Sequence, residues 1–191
     1  YPLDGYYVLT QDIDASATAT WNAGAGFAPI GSGTAPFTGT LDGQGFSVTG
    51  LHINRPAEQN VGLVGFNSGT VTNCYAVGEV TGYNNVGGLV GYLGYGTVTN
   101  CYATGAVTGY NNVGGLVGVN IGTVTTCYAT GAVTGNNYVG GLVGYNTGTV
   151  TNCYATGAVT GDYVGGGLVG YNNNGTVTNC YATGAVTGDY V

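Results

Sequence analysis

Residues 139–163 read V-G-G-L-V-G-Y-N-T-G-T-V-T-N-C-Y-A-T-G-A-V-T-G-D-Y. Nearly the same line is written five times, at 61–85, 86–112, 113–138, 139–163 and 164–190, so the period is 25 to 27 residues. A period of this size marks a stacked, quasi-one-dimensional architecture. Such a chain presents each surface group as a row. Faithful rows point to a scaffold or a binding surface before they point to an enzyme.

Within a repeat the local signal is strand. Thr70-Val71-Thr72 and Cys74-Tyr75-Ala76-Val77 are short β-prone runs punctuated by Gly and Asn, and no 3.6-residue period runs through them. Cys74, Ala76, Gly78 and Val80 share one face of the second run, while Tyr75, Val77, Glu79 and Thr81 share the other. Glu79 and the threonines mark the second face as water and the first as core. Val71 has the opposite parity to Cys74, which puts a corner near Asn73. Each G-L-V-G is ambiguous, because adjacent Leu and Val are both apolar; the reading adopted turns Leu inward. About 26 residues at roughly 3.3 Å each give a perimeter near ~85 Å, which suits a three-sided coil. The expected fold is an all-β, right-handed parallel β-helix with one coil per repeat. Gly and Asn at its corners are expected to supply positive φ. Leu93-Gly94-Tyr95, Gly165-Gly166-Gly167 and Asn172-Asn173-Asn174 are expected to lengthen three turns and leave strands intact.

Residues 1–60 do not repeat. They hold Trp21, Phe27, Ile30, Phe37, Phe46, Leu51 and Ile53, with five of the eight carboxylates, and are expected to form leading coils and a cap over an otherwise open edge. The chain starts at Tyr1 and ends at Val191, the first residue of a would-be sixth repeat. The expectation is a processed piece, or an end continued by another molecule.

Gly makes up 40 of 191 residues, and charged residues only 5%. The net charge of −7 sets eight carboxylates against Arg55 alone. A lone cation cannot build a phosphate footprint, so nucleic acid and anionic membranes are excluded as partners. No apolar run reaches the length of about 18 residues that a membrane helix needs.

The quartets Gly62-Leu63-Val64-Gly65, Gly88-Leu89-Val90-Gly91, Gly115-Leu116-Val117-Gly118, Gly141-Leu142-Val143-Gly144 and Gly167-Leu168-Val169-Gly170 resemble the GLUG motif, and the following N-C-Y-A-T-G-x-V-T-G resembles the rest of that repeat. Asp12-Ile13-Asp14, Pro29-Ile30-Gly31 and Gly39-Thr40-Leu41-Asp42-Gly43-Gln44-Gly45 resemble the segment that leads into such arrays. The motif is found in bacterial surface adhesins of the filamentous-haemagglutinin type and in non-catalytic parts of IgA-specific metallopeptidases. The resemblance therefore implies a secreted or cell-surface β-helix. Those peptidases need an H-E-x-x-H zinc site, and this chain has only His52, between Leu51 and Ile53.

Four sets of stacked side chains are candidates for function. Cys74, Cys101, Cys127, Cys153 and Cys180 are read as a buried thiol row, since stacked strands rarely give disulfide torsions; inter-coil or intermolecular disulfides are the alternative. Tyr75, Tyr102, Tyr128, Tyr154 and Tyr181 form an outward row that stacks coil on coil or offers an amphipathic strip to a fibre, glycan or surface. A second row, Phe66, Tyr92, Val119, Tyr145 and Tyr171, is interrupted once. Thr70 and Thr72, Thr97 and Thr99, Thr123 and Thr125, Thr149 and Thr151, and Thr176 and Thr178 form a flat two-column array, either ordinary outward Thr or an ice-binding face. Asp12 and Asp14 can contribute to a Ca²⁺ site, though solvated surface is the plainer role. Asn174-Gly175-Thr176 is a lone glycosylation triplet. No catalytic, metal or cofactor-binding residue is assigned. The expected role is a non-catalytic, extracellular structural or adhesive solenoid that acts through long rows of Tyr, Thr and Asn and polymerises with itself, head to tail or laterally, or meets a host or cell-surface ligand. An ice-binding module and a passive spacer of a larger adhesin are the alternatives.

Overall fold

The Thr-Val-Thr triplets form strands Thr70–Thr72, Thr97–Thr99, Thr123–Thr125, Thr149–Thr151 and Thr176–Thr178, because β-branched side chains suit a pleated surface with one face buried. They pair in parallel and in register, each threonine beside its equivalent one coil away. Val71, Val98, Val124 and Val150 point inward and are wholly buried. Burial of one such side chain stabilises the coil by about 1.5–3 kcal/mol. The sheet begins earlier, with Tyr6–Val8 and Thr40–Asp42, so residues before the repeats contribute two strands to it.

Residues 2–189 are described by the computed structural model, and together they make a parallel β-solenoid of three sheets. Tyr1, Tyr190 and Val191, the last expected to open a further repeat, lie outside the described residues. The second sheet holds Val64–Asn67, Val90–Leu93, Val117–Asn120, Val143–Asn146 and Val169–Asn172. The third carries the Tyr-Ala strands, such as Tyr102–Ala103 and Tyr128–Ala129, and the segments around Asn84–Gly87 and Asn111–Gly114.

Within the repeats positive φ falls on the expected corner asparagines but not on the glycines. The five positive-φ glycines, Gly24, Gly26, Gly31, Gly45 and Gly50, all precede the repeats. Inside the repeats the left-handed positions belong to Asn73, Asn100, Thr126, Asn152 and Asn179 at one corner, to Asn85, Asn112 and Tyr138 at another, and to Asn174 in the lengthened turn of the fifth repeat. The repeat glycines serve close approach instead. A Cβ on Gly105 would collide with the carbonyl oxygen of Gly78, and one on Gly131 with that of Gly105. On Gly118 it would lie 2.5 Å from the Asn85 carbonyl carbon and the Val86 nitrogen. The final glycine of G-L-V-G thus lets two sheets pass backbone to backbone.

Two further expectations change. Leu89 and Val90 are both wholly buried, as are Leu116 with Val117 and Leu142 with Val143. The backbone bends at each leucine before the strand starts at valine, so alternation does not apply across the pair. Gly165-Gly166-Gly167 lengthens nothing: Gly165 pairs with Val139 and Gly166 with Gly140, so glycine replaces valine. The added residues lie between Leu93 and Thr97 and between Asn172 and Thr176, at one corner of two coils. Tyr95, in the first of these turns, is 91% exposed.

The segment before the repeats, expected to be a cap, carries a 3-10 stretch, Ser16–Gly24, beside the strand Ser47–Asn54. Thr18 seats it: the buried hydroxyl donates to the Ala15 carbonyl at 2.6 Å and accepts the His52 amide at 3.0 Å. Arg55 is committed here, with Nε on the Phe27 carbonyl at 2.9 Å and a guanidinium nitrogen 2.7 Å from Glu58. The chain's one Lys/Arg cation thus serves the cap.

Candidate functional site: the side-chain columns

The tyrosines of the Cys-Tyr-Ala strands stack along the outside of the third sheet. Successive ring centroids from Tyr75 to Tyr181 lie 4.0, 4.7, 4.8 and 5.2 Å apart, with planes within 18° of parallel. Tyr75, Tyr102, Tyr128 and Tyr154 are half-buried; Tyr181 is exposed. Each ring pair contributes about 0.5–1.5 kcal/mol beyond its burial. Burial, then the neighbouring phenols, raises the Tyr128 hydroxyl pKa, and burial followed by Tyr75 does the same for Tyr102. Those hydroxyls stay protonated at neutral pH, and the column presents neutral donors.

On the inner face of the same strands runs the cysteine column. Cys74, Cys101, Cys127 and Cys153 are buried, Cys180 is half-buried, and all five are free thiols. Each thiol donates to the carbonyl two residues back, at 3.1 Å from Cys101 to Thr99, for example. From Cys101 onward each sulfur also accepts the amide of the preceding cysteine, with Cys101 N–H to Cys127 Sγ at 3.4 Å. Burial, reinforced by the thiols on either side, pushes the Cys101 thiol well up. A protonated, inward thiol in this setting is structural.

The two threonine columns flank the buried valine column. All are half-buried except Thr176 and Thr178, which are exposed. Thr97 Oγ1 donates to Thr70 Oγ1 at 3.4 Å. Asp12 and Asp14 are spent on the cap: Asp12 accepts both the amide and the hydroxyl of Ser47, at 2.8 and 2.9 Å, and Asp14 accepts the Ser16 amide at 2.9 Å. No group of three or more His, Cys, Asp or Glu side chains gathers as for a metal ion among the described residues. No helix among them is long and apolar enough to cross a membrane.

The rows of asparagine expected from the repeats are ordered into hydrogen-bonded columns. At one left-handed corner Asn100 Nδ2 donates to Asn73 Oδ1 at 2.7 Å, and Asn73 Nδ2 donates to Asp42 at 2.9 Å. At the other, Asn112 donates to Asn85 and Asn85 to Asn60, both at 2.8 Å. A third column, Asn67, Asn120 and Asn146, is wholly buried inside. There Asn120 donates to Asn146 and Asn146 to Asn172, both at 2.7 Å. Leu93 takes the place between Asn67 and Asn120, and Asn120 Oδ1 is left buried without a partner. The only sequence signal was the recurring Asn that closes V-G-Y-N.

Asp42 heads the first amide column. The Asn73 amide, then the Gln44 backbone N–H, holds its carboxyl below the ordinary carboxylate range. Its folded pKa is depressed, so its contribution is present above the unfolded value and is lost as pH falls through the folded one. The melting temperature is therefore expected to fall below about pH 4. In Asp42→Asn, followed by circular dichroism from pH 6 to 2.5, the fall should be shallower. An unchanged slope would remove Asp42 from the acid response.

Coils stacked in register, with like side chains in columns, define a tandem-repeat parallel β-solenoid. The family model described as the GLUG motif matches residues 82–108, 109–134, 135–160 and 161–187, more than half of the sequence. The chain belongs to the GLUG-motif family. It is 42% identical to halomucin of Haloquadratum walsbyi over a match covering 46% of this chain and 1% of that protein. It is 36% identical to a candidate Gly-rich membrane protein of Evansella cellulosilytica, over 47% of this chain and 11% of that one. The chain thus spans a small part of these relatives. Among solved structures it resembles a candidate immunoglobulin A1 protease from Bacteroides ovatus, with a TM-score of 0.81 and 24% identity, covering 98% of this chain and 62% of the other. That likeness concerns the fold.

Proposed function

We propose that this chain is a non-catalytic, extracellular structural and adhesive solenoid that associates side by side with further copies through its outer tyrosine column. The observation that carries this is the five-ring stack from Tyr75 to Tyr181, half-exposed on a regular face with its rings fixed coil on coil. Preordered aromatic area binds at low entropic cost, and tyrosine suits a surface that is apolar in body and wet at the tip. The net charge of −7 opposes association, so salt should promote it by screening. The halomucin and Gly-rich membrane protein matches support a surface-associated setting.

The test is negative-stain electron microscopy with sedimentation of the purified chain at low and high salt. Laterally joined or extended assemblies are expected, growing with salt, and the double variant Tyr102→Ser, Tyr128→Ser should give separate rods. Separate rods from the unaltered chain at every concentration would overturn self-association.

A second reading is favoured by the threonine columns, which stand in register on a flat sheet with the intervening valine fully inward. That array can order water as an ice-binding face. Absence of thermal hysteresis in concentrated protein would remove it.

A further inference from the structure

The second aromatic row lacks one ring. Phe66 and Tyr92 stack at 4.5 Å and 18°, and Tyr145 and Tyr171 sit 5.6 Å apart. Between them the register sets Val119 beside both Tyr92 and Tyr145. Two coil spacings put those tyrosines about 9.6 Å apart along the axis, which leaves the thickness of one six-membered ring between them. An open cleft of about 460 Å³ lies there.

Among the described residues no aromatic side chain fills this gap. Tyr138, which also lines the cleft, packs edge-on to Tyr145 at 5.9 Å and tilted against Tyr171 at 5.0 Å. Tyr145 is held in its tilt by Asn173, whose Nδ2 donates to the phenol oxygen at 2.8 Å. Val119, only 6% exposed, forms the floor.

A polar group stands at the rim. The amide column from Asn60 through Asn85 ends at Asn112, because Tyr138 occupies the next left-handed corner. Asn112 lines the cleft, with its Nδ2 committed to Asn85 and its Oδ1 receiving no amide from the following coil. Thr147 adds a hydroxyl at the rim. Among the described residues no charged side chain lines the cleft.

We propose that this gap is a binding site for one neutral pyranose ring of a glycan. The C–H face of a pyranose lies against aromatic walls, while its hydroxyl edge needs an acceptor such as a side-chain amide oxygen. A flat aromatic ligand would leave the Asn112 acceptor unused, and an acidic sugar would meet an acidic protein with no cation at the site. The site deepens the adhesive reading by naming a ligand class, and it rests on that reading. It is separate from the Tyr75–Tyr181 column.

The experiment is saturation-transfer NMR on the intact chain with methyl glycosides of galactose, glucose and mannose, with glucuronate and with p-cresol, each up to 50 mM. Transfer to the ring C–H protons of at least one neutral glycoside is expected, with a Kd on the order of millimolar for so small a ligand. Val119→Tyr restores the row and should abolish the signal while retaining the melting temperature. Asn112→Ala should weaken binding about tenfold. Absence of transfer from every neutral glycoside would overturn the proposal, as would transfer undiminished in Val119→Tyr. Tighter binding of p-cresol than of any sugar would also overturn it and assign the gap to an aromatic side chain of a partner. Lateral association should persist in Val119→Tyr. Its persistence without sugar binding to the unaltered chain would sink the pyranose site alone, whereas absence of both would sink the adhesive reading with it.

Discussion

Gly131→Ala is expected to lower the melting temperature by about 6–12 °C. Gly78, Gly105, Gly131, Gly157 and Gly184 form a column in which an added Cβ collides with a backbone carbonyl one coil earlier, that of Leu51 for Gly78 and of the preceding glycine for the others. A side-chain clash can be relieved by a rotamer, but this one can be relieved only by moving a strand. Overpacking costs about 1–3 kcal/mol and more where the obstacle is rigid, so roughly 3 kcal/mol is the expected loss. In a chain of this length each kcal/mol moves the midpoint by about 2–4 °C. Gly33→Ala is the control, since its Cβ would meet only Asn60 Nδ2, at 4.0 Å, and Gly33 is not among the positive-φ positions. It should melt within a degree or two of the parent or slightly above, by restricting the unfolded chain. Equal melting of the two variants would show that the coils spread freely and that the column is not a close-packing device.

Thr126→Asn is expected to raise the melting temperature by roughly 2–8 °C. Thr126 has a φ of 55°, in a column otherwise made of Asn73, Asn100, Asn152 and Asn179 at 52–56°. A β-branched residue in the left-handed region costs about 1–2 kcal/mol, most of which asparagine avoids. The threonine also breaks the amide column, because Asn100 donates to Asn73 and Asn179 to Asn152, with no amide between the two pairs. The introduced side chain can donate to Asn100 Oδ1 and accept from Asn152 Nδ2, so the strain relief and new hydrogen bonds act together. Thermal melts followed by circular dichroism would measure this. A fall in the midpoint would mean that Thr126 makes a compensating contact its geometry does not show.

The repeat, the parallel strands and the inward Cys and Val columns are legible in the sequence because alternation within four or five residues decides them. The role of glycine is not. The alternation places Gly131 on the inward face, but the obstacle that excludes a side chain there, the Gly105 carbonyl, lies 26 residues back and becomes a neighbour only when coils stack. Burial of Asn67, Asn120 and Asn146 is hidden likewise, since their amides are satisfied partly by the coil above. The interruption of the aromatic row at Val119 is visible as a letter. Its consequence depends on Tyr138 packing against Tyr145 and Tyr171 at the side of the cleft, which no local pattern encodes.

The outer amide columns also share a direction. Asn100 donates to Asn73, Asn112 to Asn85, Asn137 to Asn111 and Asn179 to Asn152, always from the later coil to the earlier. Their dipoles therefore add along the axis, with hydrogens toward the first coils and oxygens toward the last, and neighbouring members polarise one another. The buried column from Asn120 to Asn172 runs the other way and offsets part of this inside. A carboxylate is the group that suits the hydrogen end of such a series, and Asp42 stands there, 2.9 Å from Asn73. The solenoid thus has an electrical sense along its length as definite as its chain direction, with an anion at the positive pole of its surface amides.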